Sequence, residues 1–126
     1  MFEGVHTALI TPFVDGKIDE DSLIEIINNQ FNNNISGIVP CGTTGESPTL
    51  TNAEHKRIIE LSVQVAGGKG KVIAGTGSNS TREAIIMTQY AQEAGADAAL
   101  LVCPYYNKPS QEAVSYTHLR AHETSR

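Results

Sequence analysis

Short apolar, β-branched runs alternate with stretches whose apolar residues recur at helical spacing, and this alternation constrains the fold more than any other feature of the chain. The runs are residues 5–13, 35–39, 71–75 and 98–102. Between them, Leu23, Ile26, Ile27 and Phe31 share one helical face, as do Ile58, Leu61 and Val65, and then the small residues Ala84, Thr88, Ala91 and Ala94. Local signals mark the borders. Pro12 stops the first run and Asp15-Gly16 reads as a turn. Asp19 is the expected N-cap of the first helix, and Asn32-Asn33-Asn34 its end, since Asn tolerates left-handed backbone. Thr51 with Glu54 predicts a capping box, and Ser80 with Glu83 a second one. Gly95 closes the third helix. A strand followed by a helix, repeated at about thirty residues per unit, implies a parallel sheet with right-handed crossovers.

The polar, glycine-rich segments follow strands. They are Pro40-Cys41-Gly42-Thr43-Thr44-Gly45-Glu46-Ser47, Thr76-Gly77-Ser78-Asn79, and residues 103–109. In a (β/α)8 barrel, as in an open α/β sheet, the loops after strands form the active face; spacing alone does not separate the two folds. In the first segment, Gly42 and Gly45 allow a tight turn and a close ligand approach, and the threonine hydroxyls and free N–H groups can grip a carboxylate. A Gly-rich strand-to-helix turn with polar filler fits the same residues. Gly67-Gly68-Lys69-Gly70-Lys71 is not a phosphate loop, because it precedes a strand and lacks the required spacing.

At 126 residues and 40% hydrophobic, the chain suits one small domain. A net charge of −5 with no Lys/Arg cluster argues against a nucleic-acid surface. No apolar run reaches the length of a membrane span, and residues 1–4 lack the features of a signal peptide. Cys41 and Cys103 fit a reducing cytoplasm and read as small buried residues. His118 and His122 have the spacing of a metal pair on a helix, but nothing nearby completes a site.

Residues 42–47, GTTGES, lie after a strand, and residues 103–112, CPYYNKPSQE, follow about sixty residues later. In that order and separation they resemble the pyruvate-dependent class I lyase/aldolase superfamily, and within it the dihydrodipicolinate synthase family. The resemblance runs from Phe2 to about Glu112. It implies the N-terminal half of a (β/α)8 TIM barrel, about four βα units, as a domain over residues 1–112. Ile38, Val39, Ile73, Leu100 and Leu101 then supply, in part, the barrel-facing side chains. Residues 113–126 do not match the family's continuation; they resemble cloning or adapter sequence and are expected to be a non-native or unstructured tail.

The family reaction, as the resemblance implies it, joins pyruvate to L-aspartate 4-semialdehyde. A lysine amine forms a Schiff base with pyruvate, the enamine attacks the aldehyde, and cyclisation follows on the route to lysine; no cofactor or metal is needed. Thr44 matches the residue that holds the pyruvate carboxylate, Thr43 a hydroxyl of the proton relay, and Tyr106 a relay tyrosine that reaches across a dimer interface. Ser47, His55, Asn79, Glu83 and Tyr105 match positions that bind lysine as a feedback inhibitor. Pro48 and Asn52 depart from that pattern. Without that role, His55 reads as an exposed first-turn helix residue and Glu83 as a capping partner. The resemblance also implies a homo-oligomer, a dimer of dimers, and calls for a Schiff-base lysine that none of Lys69, Lys71 and Lys108 matches. A sister pyruvate lyase, such as N-acetylneuraminate lyase or a keto-deoxy-sugar aldolase, is the neighbouring expectation. A non-catalytic α/β domain binding an anion or a partner is the one from another class.

Overall fold

The computed structural model describes residues 2–102 and Glu112. In chain order the elements are β1 (His6–Ala8), β2 (Phe13–Val14), β3 (Lys17–Ile18), α1 (Glu20–Asn32), β4 (Gly37–Val39), α2 (Asn52–Ala66), β5 (Lys71–Gly75), α3 (Thr81–Ala94) and β6 (Ala98–Leu100). A 3-10 turn, Ser47–Thr49, precedes α2. The sheet expected from the alternation is formed: β1, β4, β5 and β6 lie side by side in that order, each pair parallel.

One expected strand is two elements. The run over residues 5–13 pairs with β4 from His6 to Ala8, flanked by bonds from Gly37 N to Val5 O at 3.3 Å and from Leu9 N to Val39 O at 3.1 Å. Pro12 has no N–H to continue a ladder. Phe13 instead enters an antiparallel hairpin, opposite Ile18. Asp15 (φ 51°) and Gly16 (φ 76°) are both left-handed, which is what a two-residue hairpin turn requires.

The helix ends follow the local signals, with one exception. The Asp19 carboxylate accepts from Ser22 N and Ser22 Oγ, and these bonds hold its carboxyl below the usual range. Asn34 takes the left-handed conformation (φ 62°) just after α1. At α2 the capping box is reciprocal: Glu54 N donates to Thr51 Oγ1 at 3.1 Å and Thr51 N to Glu54 Oε1 at 2.9 Å. At α3 only half the expected box forms. Glu83 N donates to Ser80 Oγ at 3.4 Å, but the Glu83 carboxylate accepts from Ser78 Oγ at 3.1 Å. Thr51→Ala removes one partner of the complete box and is expected to destabilise the fold by about 1 kcal/mol, read as a lower urea midpoint with unchanged slope.

Residues paired across parallel strands share a face of the sheet. Thr7, Ile38 and Val72 are in register, as are Ala74 and Ala99. Ile38, Val72 and Ala74 are buried in one core with Leu23 and Ile27 of α1, Ile58 and Ile59 of α2, and Met87 and Ala91 of α3. Val39, Ile73 and Leu100 belong to the opposite face, where Leu100 is 47% exposed. The grouping of Ile38 with Val39 on the barrel-facing side is therefore corrected. Adjacent strand residues point to opposite faces, and Ile38 packs under the helices. On the outer surface Arg57 bonds to both oxygens of Glu20 and to Glu60, joining α1 to α2, while Tyr90 Oη donates to Glu60 from α3. Among the described residues no helix is long and apolar enough to cross a membrane.

Candidate functional site

The GTTGES turn lies at the C-terminal end of β4. Gly42 O accepts from Gly45 N at 3.1 Å and from Ser47 N at 3.4 Å, and Thr43 O accepts from Glu46 N at 3.0 Å. The left-handed positions are Cys41 (φ 59°) and Glu46 (φ 59°), not the two glycines. Gly45 is buried and serves packing rather than ligand approach. A Cβ there would lie 3.1 Å from both Leu9 O and Thr11 Oγ1. Thr11 Oγ1 in turn donates to Gly45 O at 2.7 Å. A Cβ on Gly42 would have free space among the described residues, with Val39 Cγ1 the nearest atom beyond its chain neighbours at 3.8 Å. Thr43 and Thr44 are both exposed, and neither their hydroxyls nor their N–H groups have a hydrogen-bond partner among the described residues. The bonds that close the turn use other atoms and leave this pair free for a ligand.

Two cavities flank the turn. The first is lined by Gly42 and Thr43, by Gly75 at the end of β5 and Gly77 after it, and by Leu100 at the end of β6 and Val102 after it. The second gathers Ser47, His55, Ser78, Asn79, Glu83 and Met87. Ser47, Pro48 and Gly77 line both and form the wall between them. The second cavity thus brings together four of the five residues matched to the inhibitor site. The fifth, Tyr105, lies outside the described residues, as do Tyr106, Cys103, and the His118–His122 pair. Thr44 stands beside the first cavity without lining it.

His55 is not the exposed helix residue expected from its place in the first turn of α2. It is buried (7% exposed), with Nε2 2.6 Å from Gly75 O. Burial lowers its pKa, so the ring is neutral near pH 7, and because a carbonyl oxygen only accepts, Nε2 carries the hydrogen. Cys41 is buried as expected. Desolvation pushes its thiol pKa up to about 12, which leaves no thiolate to act as nucleophile. Among the described residues no cluster of three or more His, Cys, Asp or Glu has the arrangement of a metal site. Sequence reasoning missed Thr11 and Gly75. Thr11 lies in the run expected as the first strand, where His6 and Thr7 are polar as well, so nothing local sets it apart.

The sequence profile described as the Dihydrodipicolinate synthetase family matches residues 1–122. The chain belongs to this family. The family match continues past Glu112 into the stretch expected to be foreign. The 4-hydroxy-tetrahydrodipicolinate synthase of Leptospira biflexa serovar Patoc is 58% identical over 121 residues, which cover 96% of this chain and 41% of that protein. The chain therefore spans well under half the length of this curated relative. Solved dihydrodipicolinate synthases superpose closely. The chloride-inhibited enzyme of Acinetobacter baumannii, complexed with pyruvate, aligns with a TM-score of 0.93 at 43% identity, covering 98% of this chain and 43% of that one. The enzyme of Cyanidioschyzon merolae with lysine bound aligns at 0.92 and 38% identity, with the same coverage. The parallel sheet and its helices are the N-terminal part of the dihydrodipicolinate synthase (β/α)8 barrel.

Proposed function

We propose that this chain carries the pyruvate-binding turn of a 4-hydroxy-tetrahydrodipicolinate synthase. The observation that carries the reading is the Thr43–Thr44 pair, exposed at the C-terminal end of the sheet beside a cavity, with its hydroxyls free of partners among the described residues. The Thr44 hydroxyl and N–H donate to the pyruvate carboxylate. A lysine amine of the full-length gene product adds to the pyruvate keto carbon, and Thr43 and Tyr106 pass protons to and from the resulting carbinolamine as it loses water to form the imine. The enamine then attacks L-aspartate 4-semialdehyde. A Tyr106 that serves a neighbouring subunit's site requires a homo-oligomer, and the place of this chemistry in amino-acid biosynthesis puts the enzyme in the cytoplasm. The test is borohydride reduction of the full-length gene product with pyruvate. A lysine adduct one reduced pyruvate heavier supports the reading, and an unmodified protein overturns it. Condensation with aspartate semialdehyde separates the synthase from a sister lyase.

The second cavity suits an amino acid. The Glu83 carboxylate can hold an ammonium group, while Ser47 and Asn79 offer hydrogen bonds to its other end. The cavity matches the positions at which regulated members bind lysine, and lysine is bound in the Cyanidioschyzon merolae enzyme. Glu83→Ala is expected to raise the lysine concentration for half-inhibition at least about tenfold, since a charge-assisted hydrogen bond of about 1.5–3 kcal/mol is lost. Calorimetry showing no lysine binding to the unsubstituted protein removes the regulatory assignment.

A further inference from the structure

His55 lines the second cavity, yet its strongest contact is with the backbone beneath the first. Its Nε2–H donates to Gly75 O at 2.6 Å, and Gly75 N donates to Pro40 O at 2.8 Å. Both backbone polar groups of Gly75 are thus committed. A Cβ on Gly75 would lie 2.1 Å from Cys41 O and 2.9 Å from Gly42 N, so the bare Cα rests directly on the Cys41–Gly42 peptide. The backbone carbonyl of His55 also accepts from Cys41 Sγ at 3.8 Å. Cys41 holds a left-handed conformation that a side-chain-bearing residue keeps only when its surroundings impose it. The next carbonyl, Gly42 O, closes the turn that presents Thr43 and Thr44. The buried His55 thus touches both Gly75 and Cys41, the two residues that meet beneath the turn.

We propose that His55 is a positioning residue for the Thr43–Thr44 turn: by holding the Gly75 carbonyl it locks the Gly75–Cys41–Gly42 contact that places the two threonines. The role rests on the reading of that turn as the pyruvate site. It is separate from any contact His55 makes with an occupant of the second cavity. A residue that only lined that cavity would change the response to an inhibitor and leave the KM for pyruvate alone. One that only filled the core would change stability in the same way for any replacement lacking its shape.

The experiment compares His55→Leu, His55→Gln and His55→Asn in the full-length gene product, with no lysine present. Gln carries its N–H donor at the reach of Nε2, whereas Asn falls short of Gly75 and Leu has no donor. His55→Leu and His55→Asn are expected to raise the KM for pyruvate about tenfold, the effect of one lost buried hydrogen bond, and His55→Gln to recover most of that loss. The amide resonances of Thr43 and Thr44 are expected to move in the Leu and Asn variants and to return towards their original positions with Gln. If Leu fails to fold, the Gln–Asn pair gives the same contrast. Equal effects of Gln and Asn on both readouts, or no effect of any variant, overturn the proposal. An unsubstituted protein that forms no pyruvate adduct overturns the functional reading instead, and the amide shifts then still decide whether His55 sets the turn.

Discussion

Gly75→Ala is expected to destabilise the protein by about 3 kcal/mol, at the upper end of the range for an overpacked core position. The reason is specific to this backbone. The added Cβ would meet Cys41 O at 2.1 Å, Cys41 C at 2.5 Å and Gly42 N at 2.9 Å, all main-chain atoms that cannot swing aside. Relief requires β5 to move away from the end of β4. That strains the bonds from Gly75 N to Pro40 O and from His55 Nε2 to Gly75 O. Gly42→Ala is the control. Among the described residues its Cβ would find no atom beyond its chain neighbours nearer than 3.8 Å, and its φ is not positive, so its effect on stability should stay within about 0.5 kcal/mol. Urea unfolding of the two variants side by side measures the difference. Equal midpoints would mean that Gly75 is not wedged against the turn.

The second large effect is on binding. Thr44→Val keeps the shape of the side chain and removes its hydroxyl. In the full-length gene product it is expected to lower kcat/KM for pyruvate roughly 10- to 150-fold, the equivalent of one hydrogen bond to a charged acceptor of about 1.5–3 kcal/mol. Thr44 is exposed and among the described residues makes no bond within the turn, so the substitution should leave the unfolding midpoint nearly unchanged. Thr44→Ser, which keeps the hydroxyl, should recover most of the rate. A Val variant with wild-type kinetics would place the carboxylate elsewhere. A Val variant that loses rate and stability together would mean that Thr44 supports the turn rather than the substrate.

The features legible in the sequence are those written in neighbouring residues. Asp19, Thr51 and Ser80 cap the helices they were expected to cap, Gly95 closes α3 in a left-handed conformation (φ 100°), and β5 runs from Lys71 to Gly75 as its apolar pattern indicated. Such signals act between residues one to four apart, so propensity and hydrophobic period suffice to read them. A parallel sheet follows from the same alternation, but the order of its strands does not, since a barrel and an open α/β sheet share that spacing. GTTGES and CPYYNKPSQE then carried the family, which the match over residues 1–122 shows.

Tertiary contacts decided the rest. Whether Ile38 or Val39 faces the helices depends on strand register, which one residue of slip would invert. The first expected strand stops early because Phe13 finds a partner in Ile18 rather than in β4. The Glu83 carboxylate accepts from Ser78 Oγ, and the Ser80 N–H expected to cap it donates to Ser78 Oγ instead. Gly45 is seated by Thr11, 34 residues away, and His55 is buried by Gly75, 20 residues away. No local pattern encodes contacts at that separation. They exist only once the parallel sheet has brought the ends of β1, β4 and β5 together, and at those ends the sheet builds the candidate site.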